Sequence, residues 1–390
     1  MSILGEYIGK RLSANQLETE LLKLIADYNK KTNSFLLVYA SSFSKNIPEI
    51  PLSMDDYFVI NDILSGVSNN RLDFYIESPG GSAEAAEEIV ECIHSKFDNV
   101  SFIISGEAKS AGTILVMSGN EICMTESGSL GPIDAQVKIG RMFVSAHDYM
   151  EWVKSKREEA EKMGKLNPFD ATMVAQISPG ELNGVYHALN FAIDLIKEWL
   201  PKYKFRDWNR TETRLLVVTE TMKKDRAEEI ARELVDHSKW RSHGRSLKIH
   251  DLKPLLRINR IDDDIKLAEI VYRIQAVIRL LLQTTSTFKI FATANEKIFR
   301  NAVPQIQNSP IFPVPQKSQI VEAEIECPQC KKKQPLYGKF VKESQIDIDL
   351  KKKGKISIIS QDKITCTCGF VIDLIGIRNE LENKIGKKFV

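Results

Sequence analysis

The 390-residue chain contains no run of 18 apolar residues, and a shorter run cannot cross a bilayer as a helix. Its first residues, Met1-Ser-Ile-Leu-Gly-Glu-Tyr, lack the basic-then-apolar order of a secretory signal. It has no excess of one charge: 54 Lys and Arg face 52 Asp and Glu, for a net charge of +2. With the two signs interspersed and no basic stripe, nothing points to nucleic acid. No internal repeat is present. Cysteine is scarce, and four of the six cluster late. The other two, Cys92 and Cys123, lie in apolar-patterned segments and read as buried thiols, not as a disulfide. Together these absences lead us to expect a soluble, cytoplasmic protein without a transmembrane segment or a nucleic-acid partner.

What is present is enough apolar residue, 43%, for a globular core, in a chain long enough for two or three domains. Residues 15–31 and 54–66 have helical periodicity. Phe35-Leu-Leu-Val-Tyr-Ala40, Arg71–Ile76, Val100–Ile104 and Glu121–Met124 read as strands. Helices are expected after Ser82 and over 111–118. Strands that alternate with helices predict an α/β fold with a largely parallel sheet. Helical patterns follow at 148–165, 179–198, 225–237 and 262–291. Arg214–Thr219 fits strand or helix equally. Four of the 14 prolines fall in 304–316 and mark a linker. The expected organisation is an N-terminal helical segment (1–32), a catalytic domain (33–258), a helical extension (259–303), a proline-rich linker (304–319) and a small β-rich module (320–390). The apolar positions of 265–282 exceed what one helix face needs, which predicts a homo-oligomer.

Three segments carry the chemistry: Tyr75-Ile-Glu-Ser-Pro-Gly-Gly-Ser82, Gly106-Glu-Ala-Lys-Ser-Ala-Gly112 and Leu130-Gly-Pro-Ile-Asp134. They read as a strand ending in a glycine turn, a strand feeding a helix through a serine, and a strand ending at an acid. Ser110 is flanked by small residues that allow a tight strand-to-helix turn and leave its hydroxyl open. The helix start adds a free N–H at Ala111 and partial positive charge. Gly80 and Gly81 let the backbone approach a substrate closely and offer a second N–H. A hydroxyl, backbone donors and a carboxylate at neighbouring strand ends make an acyl-transfer layout.

Ser-Pro-Gly-Gly (78–81) followed by Lys-Ser-Ala-Gly (109–112) resembles the Clp-type serine peptidases and the related signal-peptide peptidases. Their ClpP/crotonase fold, a spiral of ββα units, is shared with the acyl-CoA hydratases. In the Clp pattern a strand after the serine ends in the triad histidine. Here that strand ends at Asp134, whereas Trp240-Arg-Ser-His243, where the Clp aspartate is expected, carries the histidine. This Ser–Asp–His order resembles the serine dehydrogenase proteinases, and triads are defined by geometry, not by chain order. The resemblance implies a serine endopeptidase acting on polypeptides. In it Ser110 is the nucleophile, His243 the general base and acid, and Asp134 the residue that orients the imidazole. Gly80 or Gly81, with Ala111, would form the oxyanion hole. His187 on a helix is a rival base. So are Lys154, Lys156 and Lys162 in a Ser–Lys dyad, although their run is charged and reads as solvated, and a catalytic lysine must be desolvated. Arg245 reads as a surface arginine or as a carboxylate binder. A crotonase-like acyl-CoA enzyme and a non-catalytic interaction module are the alternative functions.

Cys327-Pro-Gln-Cys330 and Cys366-Thr-Cys368 supply four thiolates that suit a tetrahedral Zn²⁺. With strands between the pairs, the module resembles a zinc ribbon, although the second pair has one intervening residue where two are usual. Four protein ligands leave no open position, so the zinc would be structural. The lysine runs 331–333 and 351–353 leave little apolar mass to fold this module without metal.

Overall fold

The computed structural model describes residues 2–139, 142–302, 319–385 and 387–390. The expected proline-rich linker therefore lies outside the described residues, apart from residue 319. The chain divides into two compact units built from discontinuous segments. One comprises Leu21–Gln275 and Ile290–Ile298; the other comprises Met1–Glu20, Ala276–Lys289 and Phe299–Val390.

The first unit is organised by parallel strands. β1 (Phe35–Ser41), β2 (Arg71–Glu77), β3 (Asn99–Ile104), β5 (Glu121–Met124) and β9 (Asn259–Arg260) lie side by side in that order. Strands buried on both faces need continuous apolar runs, and β1 is buried at six successive positions. Helices Met54–Ile63, Ala83–Lys96 and Ala111–Val116 make the crossovers. The second of these shows why it forms. The Ser82 hydroxyl accepts from the Ala85 N–H, Glu84 lies in the first turn, and Ala86, Ile89, Val90 and Ile93 form the buried stripe. Phe74 and Phe102 pack at 5.4 Å between ring centres in the core.

A second layer of short pairs sits beyond the carboxyl ends of β2 and β3. β4 (Glu107–Ala108) runs parallel to β6 (Ser129–Leu130). Single bridges join Ser78 to Ala108 and Leu130 to Leu247. β7 (Gln136–Ile139) and β8 (Met142–Ser145) then form an antiparallel hairpin. The strand expected to end at Asp134 is thus only two residues long and ends at Leu130. Residues 131–135 have no regular structure.

The later helices are Ala146–Met163, Pro179–Trp199 and Glu220–Val235. Residues 214–219, which fit strand or helix equally by sequence, form neither: the chain turns at 212–214, a single bridge joins Arg210 to Val217, and Leu215 sits at φ 52°. The helix expected over 262–291 spans Ile265–Thr284, and residues Thr287–Ala292 form a strand instead. The Thr285–Ser286–Thr287 run favours this break, because hydroxyl side chains compete with the helix for backbone groups; Thr285 Oγ1 bonds back to Leu281 O. Val271, Ile274, Val277, Ile278 and Leu281 of this helix are buried within one chain, which absorbs most of the apolar excess behind the expected homo-oligomer.

The second unit pairs Ile320–Glu326 antiparallel with Lys333–Lys339, adds Ile356–Ser357 in parallel, and carries the hairpin Lys363–Thr365 with Val371–Asp373. It has more core than its lysine runs suggest. Val321, Ile325, Leu336, Ile358, Ile364, Phe370, Ile372, Leu374, Ile377, Leu381 and Phe389 form one cluster. The apolar residues are dispersed in sequence at alternate strand positions and along one face of the last helix, so no run announces them.

His94 supplies a test of the first unit. Its ring stacks on Tyr203 at 3.6 Å and its Nε2 lies 2.9 Å from Ser118 O. Burial pulls its pKa down to about 4. The unfolded chain takes up this proton near pH 6.5, before the folded one. Stability should therefore be full above pH 6.5 and fall as the pH drops towards 4. Urea midpoints measured across that window should show the decline, and His94→Gln should flatten it.

Candidate active site

Ser110 caps the helix Ala111–Val116 at φ 49° and ψ −118°. A non-glycine residue in this region is strained and persists only where its surroundings over-determine it. β4 fixes one side and the helix the other, since Gly112 N–H donates to Lys109 O at 2.8 Å and Ile114 N–H to Ser110 O at 3.0 Å. The glycine turn approaches from the end of β2. Gly80, at φ 106°, lies so close that a Cβ there would sit 2.6 Å from Ser110 Cβ and 3.3 Å from its Oγ. A Cβ on Gly81 would run into the backbone of Leu52.

The donors sort themselves. Gly80 N–H is engaged by Ser78 Oγ at 3.2 Å. Among the described residues, neither the Gly81 nor the Ala111 N–H makes a hydrogen bond. Of the expected oxyanion donors, Gly81 and Ala111 are therefore open and Gly80 is occupied.

Asp134 is fully buried, and its Oδ1 lies 2.8 Å from His243 Nδ1, whose side chain keeps 29% exposure. Gln136 Nε2 donates to the other oxygen at 2.9 Å. Gln136 escaped the sequence reading because nothing but its position two residues after the acid marks it. Among the described residues no hydrogen bond joins Ser110 Oγ to the His243 ring; catalytic contacts of this kind often close only on substrate. His187 is exposed on its helix beside Tyr186. Lys154 and Lys162 are exposed. Lys156 is tied to Asp170 at 2.7 Å and Glu159 at 2.9 Å, and these bonds, that to Asp170 first, hold its pKa above the ordinary value. Both features are opposite to what a dyad base needs. Arg245 lies over the Trp240 ring at 5.7 Å.

Lys109, unremarked in the sequence except as a neighbour of the serine, is 7% exposed. Its ammonium donates to Ser246 Oγ at 2.8 Å, Arg245 O at 3.1 Å and Leu130 O at 3.2 Å, with Glu107 at 3.3 Å. Burial lowers its pKa, Glu107 opposes that shift, and Lys248 reinforces it.

Residues 52–214 match the family described as ClpP-like SDH-type serine proteinases. This domain belongs to that family. The matched stretch includes the glycine turn, Ser110 and Asp134, and stops short of His243. An uncharacterized protein of Methanocaldococcus jannaschii is 22% identical over 210 residues, 52% of this chain and 68% of its own length. A second from the same organism is 32% identical over 66 residues, 17% of this chain and 23% of its own. Two solved structures of the 1510-N membrane-bound stomatin-specific protease also align. A serine-to-alanine mutant has 13% identity and a TM-score of 0.32, over 56% of this chain and 79% of that one. A lysine-to-alanine mutant with a substrate peptide has 13% identity and a TM-score of 0.26, over 58% and 94%. Scores this low establish no shared fold by themselves. The family match makes this domain a serine peptidase domain, of a family whose members are hydrolases acting on polypeptides.

The proteinase also carries the four late cysteines in one cluster, Cys327, Cys330, Cys366 and Cys368, with all sulfurs within 4.8 Å of one another. The pairs Cys327–Cys368 and Cys330–Cys366 are each 3.6 Å apart. A tetrahedron with Zn–S bonds of about 2.3 Å has S···S edges of about 3.8 Å, so the donor set fits a tetrahedral ion. Gln334 Nε2 donates to Cys366 Sγ at 3.5 Å. The backbone N–H of Cys368 leads the groups that hold the Cys366 thiol down to about 6, whereas burial pushes Cys327 up to about 12. A metal would bind all four as thiolates.

The Gly80 contact yields a prediction. Gly80→Ala puts a methyl against Ser110 and strains a positive-φ turn. Labelling of Ser110 by a fluorophosphonate should fall by about two orders of magnitude, the scale of a misplaced reacting group, with the far-ultraviolet dichroism unchanged. Labelling at the wild-type rate would show that the turn does not shape the surroundings of Ser110.

Proposed function

We propose that the proteinase is a cytoplasmic serine endopeptidase working through Ser110, His243 and Asp134. The observation that carries this reading is the 2.8 Å pair between His243 Nδ1 and the fully buried Asp134, on the same strand-end layer as a strained, glycine-flanked serine. An Asp bonded to Nδ1–H leaves Nε2 as the basic nitrogen. His243 Nε2 takes the Ser110 proton as Oγ attacks the scissile carbonyl. The Gly81 and Ala111 N–H groups stabilise the oxyanion. The imidazolium then protonates the leaving amine, and water, activated by the same nitrogen, releases the acyl group. The family match favours this reading over a crotonase-like acyl-CoA enzyme, and the strained serine favours it over a non-catalytic module. Six free cysteines are consistent with a reducing compartment.

Ser110→Ala should abolish fluorophosphonate labelling and peptide hydrolysis with the fold intact, because one small residue at a helix start replaces another. Asp134→Asn, which invites the wrong tautomer, should cost about 10⁴ in kcat. Labelling that survives Ser110→Ala would reassign the nucleophile.

We further propose that Cys327, Cys330, Cys366 and Cys368 hold a structural Zn²⁺. The 3.6 Å sulfur spacing supports it. Elemental analysis should find one zinc per chain, and Cys327→Ser should release it and expose residues 320–390 to protease while Ser110 still labels. Metal-free protein whose module resists protease would refute this.

A further inference from the structure

Residues 241–246 hold the His243 ring but have little holding them. Arg241, Ser242, Gly244, Arg245 and Ser246 are all exposed, and Arg241 sits at φ 60°. On the downstream side the backbone is pinned where Leu130 N–H donates to Leu247 O at 3.0 Å and Leu247 N–H to Leu130 O at 2.9 Å. Between that pin and the imidazole comes the ammonium of Lys109. An ammonium has three protons, and here they serve Ser246 Oγ, Arg245 O and Leu130 O, with the Glu107 carboxylate close by. Bonds to a charged donor are roughly twice as strong as neutral ones. The stem is accommodated because residue 131 is glycine: a Cβ there would lie 2.8 Å from Lys109 Cδ. The lysine is not a base for its neighbour, since among the described residues no hydrogen bond joins its Nζ to Ser110 Oγ and its protons are committed to other loops.

We propose that Lys109 is a positioning residue: its ammonium clamps residues 245–246 to Leu130 and thereby keeps the His243 imidazole on Asp134. The proposal rests on the triad reading above. It explains why a buried cation adjoins the nucleophile without touching it. The residue that follows Lys109 is the serine, the residue it grips at 130 precedes Asp134 by four, and the residues it grips at 245–246 follow His243 by two and three. One side chain therefore sets the spacing of all three.

The test compares full-length wild type, Lys109→Met, Ser246→Ala and Ser110→Ala. Two quantities are read: the fluorophosphonate labelling rate per folded molecule, and the downfield Nδ1–H proton of His243 in histidine-¹⁵N-labelled protein. Lys109→Met should slow labelling by about tenfold to a hundredfold, the range expected when a catalytic group is displaced by about 1 Å, and should broaden or remove the N–H signal. Ser246→Ala should change both in the same direction by less. A lysine that only supports the fold would lower the melting temperature and leave the labelling rate and the N–H signal unchanged, and that outcome overturns the proposal. Should Lys109→Met fail to fold, wild-type values for both quantities in Ser246→Ala overturn it as well. Ser110→Ala separates the two readings: labelling that persists there sinks the triad, while the N–H signal in Lys109→Met still reports whether the clamp holds.

Discussion

The site depends on one strained backbone position. Ser110 turns at φ 49°, a conformation that costs energy and cannot maintain itself. It is maintained by what meets there: β4, the helix that starts at Ala111, and a glycine turn that comes within a methyl's width. Each contact limits the others. A side chain at 80 would displace the serine, and one at 131 would displace the stem of Lys109. The small residues around Ser110 leave the space into which it folds.

Charge imposes the second constraint. A carboxylate with no exposure is costly unless its oxygens are bonded. Asp134 meets this with His243 on one oxygen and Gln136 on the other. Neither partner is on the same element as the acid. The carboxylate thus gathers two loops, and the Leu130–Leu247 pairing brings the backbone of one loop to the other.

The parallel sheet was legible because fully buried strands read as continuous apolar runs; β5 matches its expected bounds, and β1, β2 and β3 each differ by one residue. The glycine turn and the serine were legible because both follow strands one after the other, and the histidine loop was reached through the family resemblance; the structure brings His243 to 2.8 Å from Asp134. Four features were not legible. Two-residue strands such as β6 carry no periodicity. Lys109 matters through loops far away in sequence and looks like a surface lysine, and Gln136 is marked only by its place two residues after the acid. The core of the cysteine-bearing unit was hidden because its apolar residues are spaced singly among charges, where only pairing across strands reveals a common face. The break at 285–287 was missed because the apolar pattern of the helix runs on into the strand that follows.

Asp134 and His243 lie 109 residues apart, and Ser110 precedes both. Contacts of such long sequence separation form late and come apart when either loop opens. A chain still being synthesised carries the serine well before its partner loop exists. The Asp134–His243 pair can therefore form only when the first unit has folded through residue 247, and it is lost when that fold is lost.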